Sequence, residues 1–120
     1  MGEILFDTNT LIELANSNQK NVEGYTTIFN VIEFPKTFEL FGKITIIFPS
    51  SQDYELALEL STKLYKIGKA IPLMDILVGT ICYNNKLILI SKDKHFDAVK
   101  EIWNDFQISQ DYNIKNKKEK

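Results

Sequence analysis

The feature that most constrains this chain is a short apolar run near its start, which ends in an acid and then continues as a helix. Residues 3–6 are apolar enough to form a central parallel strand covered on both faces. Asp7, Thr8 and Asn9 follow as good N-cap residues, and the apolar spacing from Leu11 to Leu14 predicts a helix. In an open α/β sheet, ligands bind beyond the carboxyl ends of the strands, and Asp7 lies at such an end.

A second acid occupies the same kind of position further along the chain. The apolar run over residues 87–90 leads through Ser91 and Lys92 to Asp93. An ordinary helix cap accounts for Asp7 taken singly, because aspartate is a preferred N-cap residue. The recurrence favours a different interpretation, in which two strands that each finish in a carboxylate form a shared acidic rim.

The rest of the chain predicts one domain of alternating strands and helices. Strands are expected over residues 3–6, 25–29, 43–48 and 87–90, with a short edge strand over 105–108, and the later helices over 30–42, 50–68, 72–83 and 96–103. These elements predict an α/β fold with three α/β/α layers and a central, mostly parallel sheet of four or five strands in the order 3-2-1-4-5. The domain is expected to span residues 1–108. Residues 109–120, with four lysines among the last six, are expected to form a disordered tail.

The composition limits the kinds of contact that this chain can make with a partner. The net charge is −2 and the sequence contains no arginine, so phosphate contacts would come from lysines, backbone amides or hydroxyls. Cys82, the single cysteine, lies in an apolar run and is predicted to be a small buried hydrophobe rather than a nucleophile. No signal peptide or membrane-length apolar run is visible, so a cytoplasmic protein without membrane contact is expected.

Four carboxylates are predicted to converge on one rim: Asp7, Glu33, Asp75 and Asp93. Asp75 is the only charge in a segment that is otherwise nearly apolar. Acids packed together repel one another unless a cation neutralises them. Hard oxygen ligands with open positions suit Mg²⁺ or Mn²⁺. Two such ions about 4 Å apart could activate a water for phosphodiester hydrolysis.

Each acid also has an interpretation that needs no ligand. Glu33 can be a surface helix residue, Asp75 an acid that favours the helix dipole, and Asp93 a turn former. These interpretations explain the acids singly but not the repeated strand-end pattern. His95 is the only histidine, so a histidine-based metal site is not expected. It is interpreted as a surface turn residue, although it could bind phosphate when protonated.

Three segments together resemble the PIN-domain ribonucleases, especially the small VapC-type toxins of toxin–antitoxin pairs. They are LFDTNTLIEL, a strand that leads into VIEF, and IPLMDILVGTICYNNKLILISKDKHFDAV. The first and last are fairly specific to that family, whereas the glutamate motif is weak alone. The resemblance extends over nearly the whole chain, to about Ile108.

The resemblance implies a fold, a reaction and partners. It implies that Asp7, Glu33, Asp75 and Asp93 ligate Mg²⁺ or Mn²⁺ in an endoribonuclease. Thr8, Asn9 and Ser91 would orient the acids or the scissile phosphate, and Asp97 is a possible additional acid. The implied partners are RNA, a small VapB-like antitoxin that blocks the acidic cleft, and a second copy in a homodimer.

Several features depart from the family pattern. The intervals from Asp7 to Glu33 and from Glu33 to Asp75 look short, Pro35 is unusual so near the glutamate, and arginine is missing. One alternative is therefore a non-catalytic PIN-like binding module. Another is a haloacid-dehalogenase-like phosphatase, because Asp7-Thr8-Asn9-Thr10 is similar to that group's nucleophile motif. Against the second alternative, Asn9 replaces the expected general acid, and 120 residues is short for that fold.

Overall fold

A computed structural model describes residues 3–110 and Tyr112 of the chain. The strands are β1 Ile4–Phe6, β2 Gly24–Thr27, β3 Ile44–Ile47, β4 Ile88–Ile90 and β5 Ile108–Ser109. The helices are α1 Thr8–Asn16, α2 Ile28–Glu33, α3 Thr37–Leu40, α4 Ser51–Lys66, α5 Leu73–Asn84 and α6 His95–Ile102. The tail predicted over residues 109–120 lies outside the described residues, except for Ser109, Gln110 and Tyr112.

The five strands form one sheet in the order β3-β2-β1-β4-β5, and every neighbouring pair is parallel. The predicted α/β class and strand order are therefore confirmed. β1 is central, and its residues Ile4, Leu5 and Phe6 pair with Ile88, Leu89 and Ile90 of β4. Because the strands are parallel, the carboxyl ends of β1 and β4 meet at the same edge of the sheet.

Helices cover both faces of the sheet, which gives the predicted three layers. The alternation of side chains along β1 sends Leu5 to one face, where it packs with α4, α5 and α6, and Ile4 and Phe6 to the other, where they pack with α1. All three of these strand residues are buried. Within the described residues, no helix is both long and apolar enough to span a membrane.

The prediction that the second strand continues to residue 29 is wrong. β2 ends at Thr27, and Ile28 and Phe29 begin helix α2. The reason is a capping box: the Thr27 hydroxyl accepts a hydrogen bond from the backbone N–H of Asn30, and the Asn30 side chain accepts one from the backbone N–H of Thr27. This local bonding overrides the strand preference of isoleucine and phenylalanine.

The single helix predicted over residues 30–42 is two short helices. α2 ends at Glu33, and α3 begins at Thr37, with Pro35 between them. Proline lacks the backbone N–H that a continuing helix requires, so the chain turns there. Glu33 consequently lies at the end of a helix rather than in the first turn, where it was expected.

Candidate metal centre

Asp7 is placed by the junction between β1 and α1 and is 6% exposed. Its backbone is extended, as in an N-cap residue, but its side chain makes no capping hydrogen bond. Its carboxylate instead accepts hydrogen bonds from the Ser91 hydroxyl at 2.7 Å and from the Asn30 side-chain amide at 3.1 Å. An ordinary cap therefore does not account for this acid, since its two oxygens are held by residues far away in sequence.

Asp75 and Asp93 meet at the same edge of the sheet. Asp75 lies in the first turn of α5, and Asp93 follows β4. The Nδ1 atom of His95 lies 2.7 Å from Oδ2 of Asp75 and 3.1 Å from Oδ1 of Asp93. One ligand atom from each of these three residues lies within 4.8 Å of the others. Among the described residues, this group has the composition and spacing that a metal ion requires.

His95 lies on the surface, as predicted, but in a helix rather than in a turn. It is the first residue of α6, and its ring contacts two of the four predicted acids, although half of its side chain is exposed. Its backbone N–H also donates to Asp93 Oδ1 at 2.9 Å. The available sequence signal was its spacing, two residues after a strand-end acid at the start of a helix.

The surroundings of Asp7 and Asp75 disfavour the charged form of each carboxyl group. Burial raises the pKa of Asp7, the repulsion of Asp93 adds to this, and the hydrogen bond from Ser91 opposes it. Burial likewise raises the pKa of Asp75 from 3.8 to about 6, with further repulsion from Asp93 and Asp7 and an opposing hydrogen bond from His95. The hydrogen bond to Asp75 raises the pKa of His95. The imidazole thus offsets only part of the negative charge.

Glu33 joins this site through a chain of hydrogen bonds rather than by direct contact with the other acids. The Thr8 hydroxyl donates to Glu33 Oε1 at 2.6 Å, and the Asn30 amide donates to Thr8 at 2.9 Å and to Asp7 at 3.1 Å. Glu33 itself is exposed. Thr8 therefore holds Glu33, and Asn30 links both to Asp7.

Asn30 is the residue that sequence analysis missed. It is fully buried and contacts Thr27, Asp7 and Thr8. Only its position three residues before Glu33 could have indicated it, because its role depends on the neighbouring strand. A buried side-chain amide that both caps a helix and binds a carboxylate fixes where that carboxylate points.

The other predicted site residues fall into two groups. Ser91 is buried and links two acids, since its hydroxyl donates to Asp7 and accepts from the backbone N–H of Asp93 at 3.1 Å. Asn9 is exposed on the first turn of α1, and Asp97 is exposed in a cleft that it shares with Lys69 and His95. The structure therefore places Ser91 at the centre of the site and the other two at its margin.

The donor set fits a divalent cation. Carboxylate oxygens are the ligands that Mg²⁺ and Mn²⁺ prefer, whereas the imidazole nitrogen of His95 is a ligand more typical of transition metals such as Zn²⁺ and Fe²⁺. Asp75 and Asp93 face one another across His95, and Asp7 is close enough to interact with both electrostatically. The hydroxyl of Ser91 and the amide of Asn30 orient Asp7 from behind, as outer-shell groups orient metal ligands.

Comparison with solved structures supports the fold. A chain of the VapBC2 complex from Rickettsia felis, solved with a DNA fragment from its promoter, superposes with a TM-score of 0.73 at 15% identity, over 88% of this chain and 96% of that one. A chain of VapBC-1 from nontypeable Haemophilus influenzae gives 0.69 at 16% identity, over 88% and 96%. A chain of FitAcB from Neisseria gonorrhoeae gives 0.62 at 16% identity, over 88% and 95%.

These similarities show that the chain has the PIN-like fold. The likeness is one of the whole domain, since it covers 88% of this chain and at least 95% of each of these three neighbours. No protein-family model matches the chain, and no curated protein matches it in sequence.

Proposed function

We propose that this chain is a metal-dependent endoribonuclease that hydrolyses RNA phosphodiester bonds, and that it is the toxin of a toxin–antitoxin pair. The observation that supports the proposal most directly is the convergence of Asp7, Asp75 and Asp93 on one edge of a PIN-like sheet, with the pKa of Asp75 raised to about 6. Perturbed acids clustered at a strand edge are characteristic of functional sites.

Asp7, Asp75 and Asp93 would hold Mg²⁺ or Mn²⁺, with His95 as a further ligand or neighbour and Glu33 as an outer acid. When bound, such an ion lowers the pKa of water and neutralises charge on a phosphoryl oxygen. The chain's own contribution is orientation. Ser91 and Asn30 fix the two oxygens of Asp7, and Thr8 fixes Glu33.

The contacts of Asp7 do not separate the phosphatase alternative from the proposal. Each oxygen of Asp7 accepts one hydrogen bond and keeps a further lone pair, which could bind a metal or attack a phosphoryl group. The fold favours the proposal, since the similar solved structures include VapBC complexes. The non-catalytic alternative has to be tested by experiment, because the same acids would bind the metal whether or not the chain catalyses a reaction with it.

The first test is cleavage of a labelled structured RNA by the wild-type chain, with Mg²⁺, with Mn²⁺ and with EDTA, in parallel with Asp93→Asn. We expect cleavage only with metal and only by the wild type. A matched control is Asp105→Asn, since Asp105 is an exposed aspartate that pairs with Tyr83 at the other edge of the sheet. Cleavage that survives Asp93→Asn would contradict the proposal, and a folded wild type that binds metal but cleaves no RNA would favour the binding module.

The partners in this proposal are RNA, a small VapB-like antitoxin and a second copy of the chain in the cytoplasm. Support comes from the structural neighbours, which include VapBC and toxin–antitoxin complexes. Large exposed apolar side chains such as Phe38, 75% exposed, and Leu73, 71% exposed, are also common at protein contacts. Light scattering on the purified chain of 13.9 kDa tests the dimer. Growth arrest on induction of the wild type, absent with Asp93→Asn, tests the toxin role.

A further inference from the structure

A cleft of about 590 Å³ lies beside the acidic site, on the face of the sheet that carries α1. One wall is a single face of α1, with Thr10, Leu14 and Ser17. Its lining also includes Ile90 and Lys92, at and beyond the carboxyl end of β4, together with Gln110 and Tyr112. Its volume is within the range of small-molecule sites, which is about 300–1,000 Å³.

The cleft and the acidic site share one segment of the chain. Ile90 and Lys92 line it, and Ser91 between them donates to Asp7 on the other side of the strand. The backbone carbonyl of Ile90 accepts from the backbone N–H of Asp7 at 3.2 Å and from the Thr10 hydroxyl at 2.8 Å. The same short segment of chain, residues 90–93, therefore positions both the acids and one wall of the cleft.

The side chains in the cleft have the chemistry that recognises a nucleobase. Gln19 and Gln110 carry amides, each of which offers a donor and an acceptor together, the pairing that base edges present. Tyr112 supplies an aromatic ring, and unpaired RNA bases are commonly bound by aromatic stacking with hydrogen bonds to their edges. Lys92 also lines the cleft, and its ammonium lies 3.3 Å from a carboxylate oxygen of Glu13.

We propose that this cleft binds one nucleobase of the RNA strand next to the scissile phosphate, and that it gives cleavage its base preference. The inference rests on the proposed ribonuclease function and names the part of the substrate that the chain reads. A second cleft, of about 440 Å³, lies away from the acidic site. Its lining includes Lys86, Asp105 and Gln107, at the opposite edge of the sheet.

The contrast between the two clefts supplies a matched pair of variants. Gln110 and Gln107 are both exposed glutamines near β5, but each lines a different cleft. In a set of RNAs that differ by one base at each position around the cleaved bond, the wild type should prefer one base at one position. Gln110→Ala should reduce that preference in kcat/KM by roughly 5- to 100-fold, the range of one side-chain–base contact, while Gln107→Ala retains it. An unchanged preference in Gln110→Ala would overturn the proposal.

Binding without cleavage separates this proposal from the proposed function. The side-chain amide NMR signals of the full chain, carrying Asp93→Asn, can be followed as short oligoribonucleotides of each base are added. We expect the signals of Gln110 and Gln19 to move and that of Gln107 to stay. If cleavage fails but these signals move, the cleft is a base site in a chain that is not a nuclease. If they stay still with every oligonucleotide, the cleft does not bind bases, whatever the chain cleaves.

Discussion

Asp75→Asn should stabilise the protein in the absence of metal while removing its response to metal. Asp75 is 9% exposed, and folding raises the pKa of its carboxyl group from 3.8 to about 6. A group whose pKa is raised in the folded state binds its proton more tightly there than in the unfolded chain. The contribution of Asp75 to the free energy of unfolding is therefore highest at low pH. It falls as pH rises from about 4 to about 6 and stays at its lower value above that window.

The magnitude follows from the size of this change. One pH unit corresponds to about 1.4 kcal/mol, so ionising Asp75 in the folded state costs up to about 3 kcal/mol at pH 8. Replacing the acid by the neutral, similarly shaped asparagine removes that cost but weakens the contact with His95. We therefore expect a net gain of about 2 kcal/mol, or an increase in Tm of about 8 °C for a domain of this length.

Thermal unfolding at pH 8 in EDTA and in Mg²⁺ measures both effects. Mg²⁺ should raise the Tm of the wild type, because a ligand that binds only the folded state stabilises it, and it should leave Asp75→Asn unchanged. The reasoning would be wrong if the variant melted below the wild type in EDTA, or if Mg²⁺ raised the Tm of both equally.

Asp53→Asn is the matched control, since Asp53 is a buried aspartate outside the site, 4% exposed. Its two oxygens accept hydrogen bonds from the backbone N–H of Ser50 and from the Asn84 amide, both at 2.8 Å. Asparagine keeps only one acceptor oxygen and should lower the free energy of unfolding by about 1 kcal/mol. The same substitution at two buried aspartates is thus expected to have opposite signs.

Three further substitutions test other parts of the structure. Ser91→Ala removes the hydroxyl that donates to Asp7 and should raise the pKa of Asp7 further, so the pH midpoint of metal-dependent cleavage should move up, and Ser91→Thr should restore it. Asn30→Ala removes the capping box of α2 and the amide that holds Asp7, and should cost about 2 kcal/mol of stability by urea denaturation; an unchanged midpoint would contradict this. Gly24→Ala places a Cβ 2.9 Å from a ring carbon of the neighbouring strand at a φ of +153° and should cost 2 kcal/mol or more, whereas at Gly42 an added Cβ meets nothing within 4 Å and calorimetry should find little change.

Long, strongly patterned segments could be predicted from sequence. The apolar runs at Ile4–Phe6 and Ile88–Ile90 indicated buried parallel strands, and the helix predicted over residues 50–68 corresponds to α4, Ser51–Lys66. These features depend on residues close together in the chain, so their physical signal is present in a short window. The same reasoning failed at residues 28–42. A capping box starts a helix at Ile28, within the predicted strand, and Pro35 divides the single helix predicted over residues 30–42.

Sequence alone could predict that Asp7, Asp75 and Asp93 lie at one edge of the sheet, because each stands next to a strong apolar run. Their chemical state could not be predicted in this way. Burial and mutual repulsion raise the pKa of Asp7 and Asp75, and both effects depend on distances between residues that are far apart in sequence. The contacts of His95 with Asp75 and Asp93 were missed for the same reason.

The sequence by itself therefore determined the layer architecture, the order of the strands and the edge at which the acids gather. The layers and the strand order follow from hydrophobic periodicity and from the handedness of connections between parallel strands. Both can be recognised without knowing which distant residues are in contact. Only the tertiary structure decided that His95 bridges two acids, that Asn30 and Ser91 hold a third, and that Glu33 is reached through Thr8. Hydrogen bonds act over about 3 Å, so they are fixed only when packing has brought distant segments together.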